Sequence, residues 1–310
     1  MALPSFDQLP VREGAPAHSS WGLWGPDDRL GCLNLLTPER AVRGAGLVRR
    51  GAVFPLDWEL GLPSPPLFGR PSLRHAVGHD DVVDSFNTQS STQWDGFRHF
   101  PMGDRYYNGL PADQHGVDHW ARKGIVTRGV LVDIGRWRER QGAPLDLTRR
   151  EEITAEELQA VLDDEGTTPE PGDVLLVRIG WVDWYLGLSE ETRTKLASLG
   201  APRCPGLAAN EDMARTLWNW HIAAVASDTP TLEAAPFAVG MDVARAGTEP
   251  FATLHQVLLP LLGIPIGELW DLRALAGDCA ADGAYEFLLT SAPLHLEGGA
   301  GSPPNVLAVK

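Results

Sequence analysis

An α/β fold is predicted by three apolar strand-like runs, by the capped amphipathic helices between them, and by the Gly and Pro breaks that separate the two. The runs are Gly129-Val130-Leu131-Val132-Asp133-Ile134, Asp173-Val174-Leu175-Leu176-Val177-Arg178-Ile179 and Ile222-Ala223-Ala224-Val225-Ala226-Ser227. None alternates apolar with polar, which is the pattern of a strand covered on both faces. Between the first two runs, Thr154 stands three residues before Glu157, a capping box, and Leu158, Val161 and Leu162 share one helical face. Between the second and third, Asn210 caps a helix whose apolar face is Met213, Ala214, Leu217 and Trp218 or Trp220.

The other elements follow in chain order. Residues 1–33 are rich in Gly, Pro and Trp and read as an irregular arm, whose Trp21 and Trp24 cover either their own core or a neighbouring subunit. Thr37 and Pro38 start a helix as N-cap and first helical residue, reaching Leu47 and Val48. Residues 52–60 alternate as an edge strand does, with Pro55 restricting the segment to an edge. Residues 63–74 form a proline-broken loop, and residues 82–87 a strand leading into the stretch that follows. His75 and His79 with Asp80 and Asp81 are expected to form a polar loop rather than a metal site. His115 and His119 have helical i,i+4 spacing, but Asp113, Gly116 and Asp118 favour a surface helix start over a metal pair. Residues 254–262 read as a short helix carrying His255, residues 263–268 as an extended segment ending at Glu268, and residues 285–290 as a last strand. The Gly-rich tail 298–304 is expected to be a turn. No linker divides the chain, so one domain over residues 1–310 is expected, with 1–33 as its arm.

Composition excludes several classes. With 41 acidic against 26 basic residues the formal charge is −15, which disfavours nucleic acid and anionic membrane as partners. No apolar run approaches the roughly 20 residues of a membrane span, and residues 1–20 lack an apolar signal core. Cys32, Cys204 and Cys279 are scattered, with no CxxC, and a reducing cytoplasm is expected. No Gly-x-Ser-x-Gly elbow, Walker loop or GxGxxG after a strand is present.

The stretch with the densest chemistry is Gln89-Ser90-Ser91-Thr92-Gln93-Trp94-Asp95-Gly96-Phe97-Arg98-His99-Phe100. Amides, hydroxyls, a carboxylate and an imidazole among three aromatics suit a pocket wall better than a core strand or a solvated loop. The stretch resembles the signature of the cyclase superfamily, which includes kynurenine formamidase and isatin hydrolase and runs His-x-Gly-Thr-His-x-Asp-x-Pro-x-His. Thr92, Asp95 and His99 match it; Gln89 and Gln93 stand where that family has two metal-binding histidines, Ser91 replaces the Gly and Phe97 the Pro. Gly129-Val130-Leu131, Gly172-Asp173-Val174-Leu175, Pro205-Gly206-Leu207, Asp228-Thr229-Pro230 and the region 255–268 extend the resemblance in order from about Asn34 onward.

The resemblance implies a swivelling β/β/α fold and a homodimer or homotetramer acting on a small molecule. It also implies a metal site at Asp95, His255 and Glu268, and His99 as general acid/base. Loss of both signature histidines predicts at most one divalent ion, Zn²⁺, Mn²⁺ or Mg²⁺, with a metal-free form as the alternative. Gln89, Gln93, Trp94 and Phe97 are expected to contact substrate. The leading expectation is metal-assisted hydrolysis of a small amide, formamide, lactam or lactone. The alternatives are a metal-independent cyclase or dehydratase, and a non-catalytic binding protein on the same fold.

Overall fold

The computed structural model describes residues 3–200, 202–237 and 251–310. In chain order its strands are β1 (Val53–Pro55), β2 (Arg74–Ala76), β3 (Val82–Asp84), β4 (Gln93–Asp95), β5 (Ile125–Asp133), β6 (Glu152–Ile153), β7 (Val174–Arg178), β8 (Gly206–Leu207), β9 (Ala224–Ser227), β10 (Ile266–Glu268), β11 (Glu286–Ser291), β12 (Gly301–Ser302) and β13 (Val306–Val309). Among the described residues nine strands form one mixed sheet in the order β1-β13-β11-β5-β7-β9-β10-β4-β12. Its centre is parallel, β5 with β7, β7 with β9 and β9 with β10, and both flanks are antiparallel.

The three apolar runs are the central strands β5, β7 and β9. Their side chains are buried on both faces, as unbroken hydrophobicity requires. The helices between them start at the predicted caps. Thr154 Oγ1 accepts from the Glu157 amide at 3.3 Å while Glu157 Oε2 accepts from the Thr154 amide at 3.1 Å. Asn210 Oδ1 accepts from the Met213 amide at 2.9 Å. The helix Pro38–Ala45 has Pro at its first position, and Leu47 and Val48 fall beyond its end. Pro55 lies in β1, which pairs only with β13 and so sits at the sheet edge, where a missing amide costs no ladder bond.

Residues 82–84 form the expected strand, β3, which pairs with β2 alone in an exposed hairpin. Two expectations are corrected. The Gly-rich tail is not only a turn, since Gly301 and Ser302 pair with Asp95 and Trp94, and β13 follows it unforeseen. His115 is buried rather than on a surface helix, its Nε2 donating to the Tyr107 carbonyl at 3.0 Å. The N-terminal segment packs on its own chain. Trp21 is buried and donates to Pro260 O at 2.6 Å, Ser20 Oγ donates to Leu262 O at 2.9 Å, and the Cys32 amide donates to Gly263 O at 2.7 Å. It therefore straps the turn that follows His255.

The central strands are also joined by charge. Arg128 on β5, its side chain 3% exposed, donates from Nε to Asp173 Oδ1 at 3.0 Å and from Nη2 to Oδ2 at 2.5 Å, with Glu286 Oε1 2.6 Å from Nη1. Removing one partner of a buried fork strands the other charge. Asp173→Ala is expected to cost about 3–5 kcal/mol of unfolding free energy, measured by urea titration at neutral pH. A loss near zero would show that the pair is not a determinant of the fold.

Candidate active site

The antiparallel pairing of β4 with β10 sets the site. Its register places Glu268 opposite Gln93, Gly267 opposite Trp94 and Ile266 opposite Asp95. Side chains alternate along a strand, so Gln93 and Asp95 share the face of Glu268 while Trp94 points to the other. Thr92, immediately before β4, fixes the approach: its Oγ1 accepts from the Trp58 amide at 2.7 Å and donates to Leu269 O at 2.6 Å. Two glycines make room. A Cβ at Gly301 would lie 2.5 Å from Gln89 Cγ, and a Cβ at Gly267 would lie 2.6 Å from Trp270 Nε1.

On the polar face, Asp95 is fully buried and accepts from Gln89 Nε2 at 2.5 Å, with Gln93 Nε2 at 3.5 Å. Gln93 Nε2 donates to Glu268 Oε2 at 2.6 Å. The short helix His255–Val257 brings His255 into the same space. Its Nε2 lies 3.1 Å from Glu268 Oε1 and 3.6 Å from Asp95 Oδ2. Its Nδ1 lies 2.9 Å from Glu233 Oε2 and 3.0 Å from Oε1, and Glu233 also accepts from the Leu254 amide at 3.0 Å. His99 Nε2 is 3.7 Å from Asp95 Oδ1. Among the described residues Asp95, His99 and His255 form a set whose donor atoms all lie within 4.8 Å of one another.

One imidazole thus faces three carboxylates. Burial opposes its charge, but Glu233, Asp95 and Glu268 together hold the His255 pKa well above the ordinary histidine range. Glu268 is pushed up to about 7 by burial and by the Asp95 charge, against the pull of His255. Burial alone would raise Asp95; His99, His255 and Arg70 outweigh it and bring the group to about 2. His99 moves the other way, down to about 4, because burial disfavours its cation and His255 and Arg70 add to that, against the attraction of Asp95.

A cavity of about 180 Å³ opens onto these groups. It is lined by Phe68, Phe100, Phe237 and Pro230, by His99, His255 and Glu268, and by Arg70.

The structure brings Gln89, Gln93, Asp95, His99, His255 and Glu268 together. None of the four expected substrate contacts lines the cavity: Gln89 and Gln93 bond Asp95 and Glu268 behind it, and Trp94 and Phe97 lie elsewhere. Trp94 is fully buried on the opposite face, donating to Ser291 Oγ at 2.9 Å and packing edge-on against Trp270. Phe97 is buried against Tyr107 and Trp120. His75 pairs with Asp81 on the exposed hairpin and belongs to no ligand cluster among the described residues. Glu233, Arg70, Phe68 and Phe237 were missed. Glu233 had one signal: a lone acid in the uncharged run Thr229-Pro230-Thr231-Leu232-Glu233-Ala234-Ala235.

The profile of the Cyclase family matches residues 44–234. The chain belongs to the Cyclase family. A solved structure described as a novel cyclase is similar over 94% of this chain and 97% of its own, at 31% identity and a TM-score of 0.80. Isatin hydrolase A from Labrenzia aggregata, bound to benzyl benzoate, covers 87% of this chain and 97% of its own at 19% identity and a TM-score of 0.55. Isatin hydrolase A from Ralstonia solanacearum covers 89% and 98% at 18% identity and a TM-score of 0.56. Likeness at that identity is one of fold. This Cyclase-family chain therefore has the swivelling β/β/α architecture expected from its signature, and shares that fold with hydrolases. No significant match was found among curated proteins. No helix among the described residues is long and apolar enough to cross a membrane.

The His99 environment has a consequence for stability. Its folded pKa of about 4 lies below the ordinary 6.5, so the unfolded chain takes up the proton first as pH falls. Stability from this group is complete above about pH 6.5 and is lost as pH falls towards about 4. His99→Gln is expected to reduce the pH dependence of the urea midpoint over that range without abolishing it, since burial also lowers His115 to about 4. An unchanged slope would show that His99 titrates normally.

Proposed function

We propose that this Cyclase-family chain hydrolyses a small amide, formamide, lactam or lactone. The observation that carries the reading is the placement of His99 beside Asp95 and His255 at a cavity lined partly by aromatic rings. At neutral pH His99 is unprotonated and able to accept a proton from water attacking a carbonyl, then return it to the departing nitrogen or oxygen. Asp95, 3.7 Å from Nε2, stabilises the imidazolium while it carries that proton. Lowering the pKa makes His99 a weaker base than free imidazole but keeps it in the accepting form. Phe68, Phe100 and Phe237 exclude water and suit a planar substrate. Isatin hydrolases, which share the fold, are named for hydrolysing isatin.

The residues fit a divalent cation. Asp95 Oδ2 and Gln93 Oε1 are buried without a hydrogen-bond partner, and His255 Nε2 faces two carboxylates. With Glu233 holding Nδ1–H, a neutral His255 would aim its Nε2 lone pair at the oxygens of Glu268 and Asp95, so a proton or a cation is needed between them. Asp95, His255 and Glu268 would hold that ion. Bound there, it would polarise the substrate carbonyl as a Lewis acid.

A metal-independent cyclase or dehydratase is the second reading. It is favoured by the amides of Gln89 and Gln93, which already donate to Asp95 and Glu268, and by the cationic state of His255.

The test is turnover of a panel comprising formanilide, isatin and dihydrocoumarin. His99→Asn is expected to lower kcat by about 10²–10⁴, and no turnover of any member by the parent would sink the hydrolase reading. Elemental analysis of protein purified without chelator is expected to find no more than one divalent ion per subunit, lost in Asp95→Asn. Two equivalents would overturn the interpretation of Gln89 and Gln93. No metal, with turnover indifferent to chelator, would put the second reading first.

A further inference from the structure

The cavity carries a cation that the hydrolytic chemistry does not use. Arg70 follows the tight turn Leu67–Gly69, in which Phe68 adopts a left-handed backbone at φ 59°. That turn lays the Phe68 ring against the guanidinium, with Arg70 Cζ 5.0 Å from the ring centroid. Arg70 Nη1 donates to the Gln89 carbonyl, and Gln89 in turn donates to Asp95 at 2.5 Å. Arg70 makes no ion pair with any described residue, and its Nε and Nη2 make no hydrogen bond to any. Most other arginines of the chain sit against an acid, as Arg128, Arg178 and Arg215 do. The half-buried Arg70 fork is oriented by Phe68 and Gln89 and left open on the cavity side.

The cavity is therefore polarised. His99, His255 and Glu268, with Asp95 behind them, supply one part of its lining, and aromatic rings and the Arg70 guanidinium supply the rest. A space of about 150 Å³ holds benzene, so 180 Å³ suits one ring with small substituents. Guanidinium pairs with a carboxylate through two parallel hydrogen bonds. We propose that Arg70 is a specificity-determining residue that binds a carboxylate on the substrate, so that the substrate is a small anionic aryl amide or ester with its scissile carbonyl directed to His99. This rests on the hydrolytic reading for the bond broken, and on Arg70 alone for the anion.

The two parts are separable. Binding of benzoate and of neutral benzamide is measured by calorimetry on the full chain, parent and variants. The parent is expected to bind benzoate about 10-fold more tightly, the worth of a charge-assisted contact. Arg70→Met is expected to reduce that ratio to within about 2-fold, and Arg70→Lys, a point charge without the fork, to leave part of it. Arg70→Gln, which keeps a donor for the Gln89 carbonyl, serves if the Met variant does not fold. Equal binding of the two probes by the parent would overturn the proposal. So would a benzoate preference that survives loss of the guanidinium, since the carboxylate would then be held elsewhere in the site. A lost preference with no turnover of formanilide or its 2-carboxylate would sink the hydrolytic reading while upholding the anion site.

Discussion

The site depends on one electrostatic imbalance. Among the described residues His255 is the only imidazole within hydrogen-bond reach of Glu233 and Glu268, and Asp95 lies 3.6 Å away. Three buried carboxylates around one ring are costly unless positive charge is supplied. The chain supplies part of it: His255 keeps its proton, Glu268 is driven towards taking one, and the amides of Gln89 and Gln93 donate to what remains. The acceptor oxygens that stay unused, Asp95 Oδ2 above all, mark where a further cation or a reacting group fits.

That imbalance is sustained by ordinary packing. The antiparallel register of β4 and β10 aligns Gln93 with Glu268, and a slip of one residue would bury Trp94 in their place. Thr92 ties the start of β4 to two other segments, and the glycines at 267 and 301 admit Trp270 and Gln89. The N-terminal strap fixes the turn after His255. The charge cluster is thus built on a strand pair, a short helix and an arm that meet only in the folded chain. Such a cluster is held rigid because each of its carboxylates also satisfies a backbone or amide partner.

Much of this was legible beforehand. The central parallel strands were readable because strands covered on both faces carry unbroken hydrophobicity, and the helices because Thr154 and Asn210 write their caps into the local sequence. Asp95, His99, His255 and Glu268 were named from the spacing of a signature and the order of later segments. Trp94 and Phe97 were misassigned for a physical reason: aromatic type says that a side chain leaves water, but the pleat decides whether it enters a core or a cavity. Residues 82–84 read as a strand and are one, but propensity did not say that it would pair only with β2 in an exposed hairpin. Glu233 and Arg70 were invisible because neither lies in a periodic element or near its partners in the chain.

The sequence by itself determined the local and the compositional: which segments extend, which coil, where helices begin, and that a carboxylate, an imidazole and two amides sit together within eleven positions of one stretch. Those properties follow from backbone propensity, capping and hydrophobic period, which act over a few residues. Tertiary structure alone decided the charge balance. Glu233 meets His255 across 22 residues, Gln93 meets Glu268 across 175, and Arg70 reaches the signature across 19. A carboxylate's charge state, and a guanidinium's freedom, depend on distances and burial that no local pattern encodes.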